Sequence, residues 1–96
     1  MTPDHIVTRL AEGRHLLEPF HVAAIFVFGS TARGEARPDS DIDLLVDFTE
    51  PISLFEFARL RRLLAELLGR DVDLVTRSAL RPGMRETILA EAVRAA

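Results

Sequence analysis

The stretch that decides the fold is Gly29-Ser30-Thr31-Ala32-Arg33-Gly34-Glu35-Ala36-Arg37-Pro38-Asp39-Ser40-Asp41-Ile42-Asp43-Leu44-Leu45-Val46. The apolar run Ala23–Phe28 leads into it, and a second apolar run begins at Ile42 after a connection that contains glycine, proline and serine. This order predicts a strand, a glycine-containing turn and a second strand.

Two aspartates in the second strand are its most informative residues. Asp41 and Asp43 alternate with Ile42 and Leu44, although aspartate is depleted in strands. Because side chains alternate between the two faces of a strand, both aspartates share one face, with Cα atoms roughly 6–7 Å apart. Carboxylates at that spacing can bind shared cations, whereas without a cation they repel each other and one tends to take up a proton. The pattern therefore indicates a functional site.

Length and composition restrict the class of protein. The 96 residues suffice for one domain, residues 1–96, and 48% of them are hydrophobic, as in globular proteins. The net charge of −3, without a basic stripe, argues against direct binding to a nucleic-acid backbone. No apolar run reaches the length of a membrane span, the N-terminus lacks a signal-peptide pattern and there is no cysteine, so we expect a cytoplasmic location.

The rest of the chain is predicted to alternate helices and strands. Helices are expected at residues 3–18, 53–68 and 84–93, and strands at residues 22–28, 41–47 and 71–75. Ser53 and Glu56 form a capping-box pattern at the start of the longest helix, and Asp73 lies in the middle of the third strand. We therefore predict a single α/β domain with a short mixed sheet and helices packed mainly on one face.

Two other motifs fit parts of the central stretch, and single residues argue against both. Gly29 and Gly34 have the spacing of a Walker A phosphate loop, but Glu35 and Ala36 replace the required lysine and hydroxyl residue. The acidic residues between positions 39 and 50 match the spacing of a calcium-binding EF-hand loop, but Leu44 stands where that loop needs glycine.

These residues together resemble the DNA polymerase beta-like nucleotidyltransferase superfamily. The resemblance rests on Gly29-Ser30, Ala32-Arg33-Gly34 and Ser40-Asp41-Ile42-Asp43-Leu44, followed by Asp73 on a later strand. In its small size the chain is similar to the minimal nucleotidyltransferase (MNT) group, which occurs as antitoxins beside HEPN-domain proteins. The resemblance implies a nucleotidyltransferase fold over nearly the whole chain.

The resemblance implies a metal-dependent catalytic set. Asp41 and Asp43 would hold two Mg²⁺ ions, and Asp73 would share one of them and help to deprotonate the acceptor hydroxyl. Magnesium suits carboxylate and phosphate oxygens, and two ions can stabilise both the attacking and the leaving oxygen of an in-line displacement.

The resemblance also implies a nucleotide-binding set. Gly29 would let the phosphates of ATP approach the backbone, and Ser30 would hydrogen-bond to them. Arg33 would contact phosphate or form a structural salt bridge, since a guanidinium suits both. Ser40 would orient the loop that precedes Asp41.

Three hypotheses about function follow. The first is an enzyme that transfers AMP, or another NMP, from an NTP to a hydroxyl of a partner protein, for which the resemblance implies a HEPN-type toxin. The second is an antitoxin that acts by binding alone, through the wide apolar face of the helix between Leu54 and Leu68. The third is a small-molecule nucleotidyltransferase of the antibiotic-modifying type, with a pocket formed by a homodimer. The chain contains no tyrosine, which excludes self-modification on tyrosine.

Overall fold

The elements of the fold are known from a computed structural model that describes residues 1–96. The helices are α1 (Pro3–Glu12), α2 (Arg14–Leu17), α3 (Gly29–Ala32), α4 (Leu54–Leu68) and α5 (Pro82–Glu91). The strands are β1 (Val22–Phe28), β2 (Ile42–Phe48), β3 (Val72–Val75) and β4 (Val93–Arg94), and short 3₁₀ turns lie at Glu18–Phe20 and Arg77–Ala79. No helix is both long and apolar enough to cross a membrane.

The four strands form one mixed sheet in the order β3-β2-β1-β4. β1 is antiparallel to both of its neighbours, whereas β2 and β3 are parallel. A parallel pair needs a long crossover connection, and α4 lies in the one between β2 and β3. This arrangement confirms the predicted mixed sheet.

The two faces of the sheet have different cores. The larger core, on one face, joins α1 and α4 to alternate strand residues, including Ile6, Leu44 and Leu64, which are fully buried. On the other face, Ile88 of α5 packs with Leu45 in a smaller cluster. Because Asp43 has the same parity as Leu45 along β2, it lies on the face that α5 covers.

The longest helix begins and ends as its sequence predicts. The Ser53 Oγ accepts a hydrogen bond of 3.1 Å from the Glu56 N–H, and the Glu56 carboxylate accepts one of 3.4 Å from the Ser53 N–H. Gly69 ends the helix in the left-handed conformation, with φ +69°. The capping box therefore holds α4 at the start of the crossover.

Two predicted helices were wrong in their extent. The helix expected at residues 3–18 is interrupted at Gly13. A Cβ at this position would lie only 2.7 Å from a methyl group of Leu67. The glycine therefore allows α1 to approach α4 closely. The helix expected at residues 84–93 begins at Pro82 and ends at Glu91, and the next residues form β4 instead. Apolar periodicity does not reveal a two-residue strand, because its pairing with β1 is a tertiary contact.

Candidate active site

Strands β2 and β3 hold two aspartates side by side. Asp43 and Asp73 are direct partners in the parallel register, and Phe28 at the end of β1 is the partner of Asp43 on its other side. Asp43 is half-buried, whereas Asp73 and the preceding Asp41 are exposed. The predicted acidic residues therefore lie together at the edge where β1 ends and β2 and β3 begin.

The turn after β1 touches this acidic group directly. Gly29 has φ +69°, a conformation that side chains with a Cβ rarely adopt. A Cβ added to Gly29 would overlap Oδ2 of Asp43 and lie 3.1 Å from its Cγ. Only glycine therefore fits both the backbone and the space at this position, and Ser30 follows it in the first turn of α3.

The acidic group is electrostatically unfavourable in the absence of a cation. Partial burial raises the pKa of the Asp43 carboxyl, and the negative charges of Asp73 and Asp41 raise that pKa further. The positive charge of Arg33 acts in the opposite direction, and Glu91 adds to the increase. No three acidic or histidine side chains are close enough together to coordinate a metal ion unaided. The charges of Asp73 and Asp41 thus disfavour ionisation of Asp43.

Arg33 lies beside the acidic group and forms salt bridges. Its Nε donates to the Glu35 carboxylate at 3.2 Å, and its Nη1 donates to Oε1 of Glu91 at 3.2 Å and to Oε2 at 3.3 Å. These hydrogen bonds raise the pKa of Arg33 above its ordinary value, so the guanidinium stays charged. Of the two roles expected for Arg33, the salt bridge is present in the structure.

The loop before Asp41 is held by two contacts, one of which the sequence did not reveal. The Ser40 Oγ accepts a hydrogen bond of 3.2 Å from the Arg37 N–H, which closes the turn that precedes Asp41. The Arg70 guanidinium donates to the carbonyl oxygen of Arg37 at 2.6 Å and also to that of Ser40. Arg70 follows α4 and is remote in sequence, so no local pattern indicates its role.

Glu91 is a second residue that the sequence interpretation missed. Its Oε1 accepts a hydrogen bond of 3.2 Å from the Gly29 N–H in addition to the one from Arg33. One signal was available, because Glu91 is the last residue of α5 and a negative charge at a helix C-terminus is disfavoured by the helix dipole. An acidic residue in such a position suggests a compensating partner elsewhere.

Comparison of the sequence with known families and proteins gives a consistent result. The pattern of the nucleotidyltransferase domain family matches residues 9–95. The chain is 51% identical over 83 residues to the protein adenylyltransferase MntA of Thermococcus cleftensis, which covers 86% of this chain and 84% of that protein.

Comparison of the fold with solved structures agrees. A solved protein assigned as a minimal nucleotidyltransferase is 43% identical, with a TM-score of 0.80 over 97% of this chain and 95% of that one. The MNT antitoxin in complex with a tri-AMPylated HEPN toxin of Shewanella oneidensis matches with a TM-score of 0.65 and 21% identity, over 93% of this chain and 70% of that one. The second likeness concerns the fold alone.

Proposed function

The chain belongs to the nucleotidyltransferase domain family, and we propose that it transfers AMP from ATP to a hydroxyl group of a HEPN-type toxin as the antitoxin of that toxin. The family membership makes it a nucleotidyltransferase. The choice of AMP follows from the name of its 51% identical relative, a protein adenylyltransferase.

One observation gives the strongest support to the assignment of the acidic group as the active site. Asp43 and Asp73 are register partners on adjacent parallel strands, and Asp43 contacts a turn that only glycine can form. Partial burial, followed by the negative charges of Asp73 and Asp41, raises the pKa of the Asp43 carboxyl, which costs stability without any benefit to the fold. Such an arrangement is expected where the charges serve a reaction.

The donor set fits magnesium. Asp41, Asp43 and Asp73 provide only carboxylate oxygens, which Mg²⁺ prefers, and Mg²⁺ usually takes its remaining ligands from water and substrate phosphates. When bound, Mg²⁺ would neutralise charge on the phosphate oxygens and lower the pKa of the acceptor hydroxyl.

The chain's own residues would serve the transfer in distinct ways. The absent side chain of Gly29 leaves its backbone open to the triphosphate, and the Ser30 hydroxyl donates a hydrogen bond to it. The acceptor oxygen forms a bond to the α-phosphorus while the bond to pyrophosphate breaks, and Asp73 accepts the hydroxyl proton. Asp41 and Asp43 would hold Mg²⁺, and Arg33 supplies a positive charge.

The proposed acceptor is a HEPN-type toxin because a fold relative occurs in complex with a HEPN toxin that carries AMP groups. The chain contains no tyrosine, so an AMP group on tyrosine would have to lie on another protein. AMP attached to the toxin would neutralise it covalently.

A transfer assay tests the proposal. The purified chain is incubated with Mg²⁺, α-labelled ATP and a HEPN-type toxin, and label on the toxin is measured. The double variant Asp41→Asn with Asp43→Asn should lose transfer. Asp71→Asn is the matched control, because Asp71 is an exposed aspartate beside β3 whose side chain forms no hydrogen bond or ion pair. Unchanged transfer by the double variant would refute the proposed site.

A second candidate is an antitoxin that acts by binding alone, and exposed apolar residues on α4 favour it. Leu54 and Phe55 are 89% and 75% exposed, whereas Leu60 and Leu64 of the same helix are buried. A toxicity-rescue assay distinguishes the two functions. If the Asp41→Asn, Asp43→Asn variant still neutralises the toxin and Leu54→Ser with Phe55→Ser does not, binding alone is sufficient.

A further inference from the structure

Glu91 joins two parts of the site that come from different regions of the chain. Its Oε1 accepts hydrogen bonds from the Gly29 N–H and from Arg33 Nη1, both at 3.2 Å. Gly29 itself contacts the Asp43 carboxylate. A single carboxylate oxygen therefore connects the glycine turn, the arginine and, through the turn, the proposed metal ligand.

The backbone on both sides of Glu91 is fixed. Before it, Ile88 is buried against Phe28 in the smaller core cluster. After it, β4 pairs with β1, and the Ala95 N–H donates a hydrogen bond of 2.8 Å to the Ile25 carbonyl. These contacts lie three residues before and four residues after Glu91, and they hold this part of the backbone beside the Gly29 turn.

The position of Arg33 depends on the same carboxylate. Its guanidinium lies between Glu91 on one side and Glu35 on the other. Glu35 is the more exposed partner, with 66% of its side chain accessible against 24% for Glu91. Since solvent screens exposed ion pairs, the pair of Arg33 with Glu35 is screened more than the pair with Glu91.

We infer that Glu91 is a positioning residue for nucleotide transfer, which holds the Gly29-Ser30 turn and Arg33 in place beside Asp43. This inference rests on the proposed function. Charge-assisted hydrogen bonds to a backbone N–H and a guanidinium are strong and directional, so their loss releases both groups at once. A displacement of about 1 Å in a reacting group can reduce a rate about 100-fold.

The test compares variants of two glutamates on α5. Glu91→Ala should lower kcat/KM for ATP by roughly 10- to 100-fold, whereas Glu91→Gln, which keeps an oxygen acceptor for the Gly29 N–H, should recover part of that loss. Glu86→Ala is the matched control, because Glu86 is exposed on the same helix and forms no hydrogen bond or ion pair. It should behave as the wild type.

Two further measurements separate positioning from a general effect on folding. The losses caused by Glu91→Ala and Arg33→Ala should add only in part in the double variant, because both remove the link between these two side chains while Glu91→Ala also frees the Gly29 N–H. Hydrogen exchange of the Gly29 amide should become faster in Glu91→Ala and stay unchanged in Glu86→Ala. A merely structural role would lower the free energy of unfolding while kcat/KM of the folded protein stayed the same.

The outcomes distinguish this inference from the proposed function. If the wild type transfers AMP and Glu91→Ala does so equally well, the positioning role is refuted and the function stands. If Glu91→Ala is faster than the wild type, the Glu91 carboxylate competes with phosphate for the Gly29 N–H and the Arg33 guanidinium. That result would also refute the positioning role. If the wild type transfers no nucleotide, the proposed function fails and the inference fails with it.

Discussion

Replacing Gly29 with alanine tests the contact between the turn and the acidic group. The residue has φ +69°, and a non-glycine residue in the left-handed region costs about 1–2 kcal/mol. The new Cβ would also overlap Oδ2 of Asp43, so the carboxylate must move, and such overpacking costs about 1–3 kcal/mol more. We therefore expect Gly29→Ala to lower the free energy of unfolding by about 2–5 kcal/mol in all.

The chain contains matched controls for the backbone part of this cost. Gly34 and Gly69 have φ +74° and +69°, and a Cβ on either would meet no atom within 4 Å. Alanine at these positions should therefore cost only about 1–2 kcal/mol. For a domain of this size each kcal/mol corresponds to roughly 4–8 °C in Tm, so urea or thermal unfolding can resolve the difference.

A double-mutant cycle isolates the overlap with Asp43. Asp43→Ala is made in the wild-type and Gly29→Ala backgrounds, and the excess cost of Gly29→Ala over Gly69→Ala should disappear when the carboxylate is absent. In the transfer assay Gly29→Ala should be at least about 100-fold slower, while Gly69→Ala keeps its activity. Equal stability losses for Gly29→Ala and Gly69→Ala, together with normal transfer by the former, would refute the contact.

Three further predictions concern single side chains. Because the folded state raises the pKa of Asp43, wild-type stability in the presence of a chelator should fall as pH rises from the ordinary aspartate value of about 4 through the raised pKa. Asp43→Asn should remove that pH slope and be more stable at neutral pH, as measured by urea unfolding. An identical slope would contradict a raised pKa at Asp43. Arg70→Ala frees the carbonyls before Asp41 and should reduce transfer at least about tenfold, whereas Arg61→Ala, at an exposed position without a side-chain hydrogen bond, should not. Ser53→Ala removes the capping box of α4 and should cost about 1 kcal/mol of unfolding free energy with unchanged transfer per folded molecule.

The sequence predicts those features that depend on local patterns. The alternation of Asp43 with apolar residues predicted both the strand and the face on which this aspartate lies, although β2 begins at Ile42, after Asp41. The Ser53 and Glu56 pair marked the start of α4 because both partners of the capping box lie within one turn. These features require only neighbours a few positions away.

The sequence did not reveal features that depend on remote contacts. Glu91 meets Gly29 across a separation of 62 residues, and Arg70 meets Ser40 across 30. The pairing of β4 with β1 has the same character, so the last helix was predicted two residues too far along the chain. The role of Arg33 remained open between phosphate binding and a salt bridge until the position of α5 was known.

The geometry of the acidic group is protected by the larger core. Ile42 and Leu44 flank Asp43 on β2 and are fully buried on the opposite face. A slip of one residue in the register would exchange the faces, exposing these apolar side chains and burying the aspartate without a partner. Burial of each aliphatic side chain contributes about 1.5–3 kcal/mol, and an unpaired buried charge costs more than that. The register that buries Ile42 and Leu44 is therefore also the register that places Asp43 beside Asp73. The free energy of core burial holds the two aspartates in place despite their mutual repulsion.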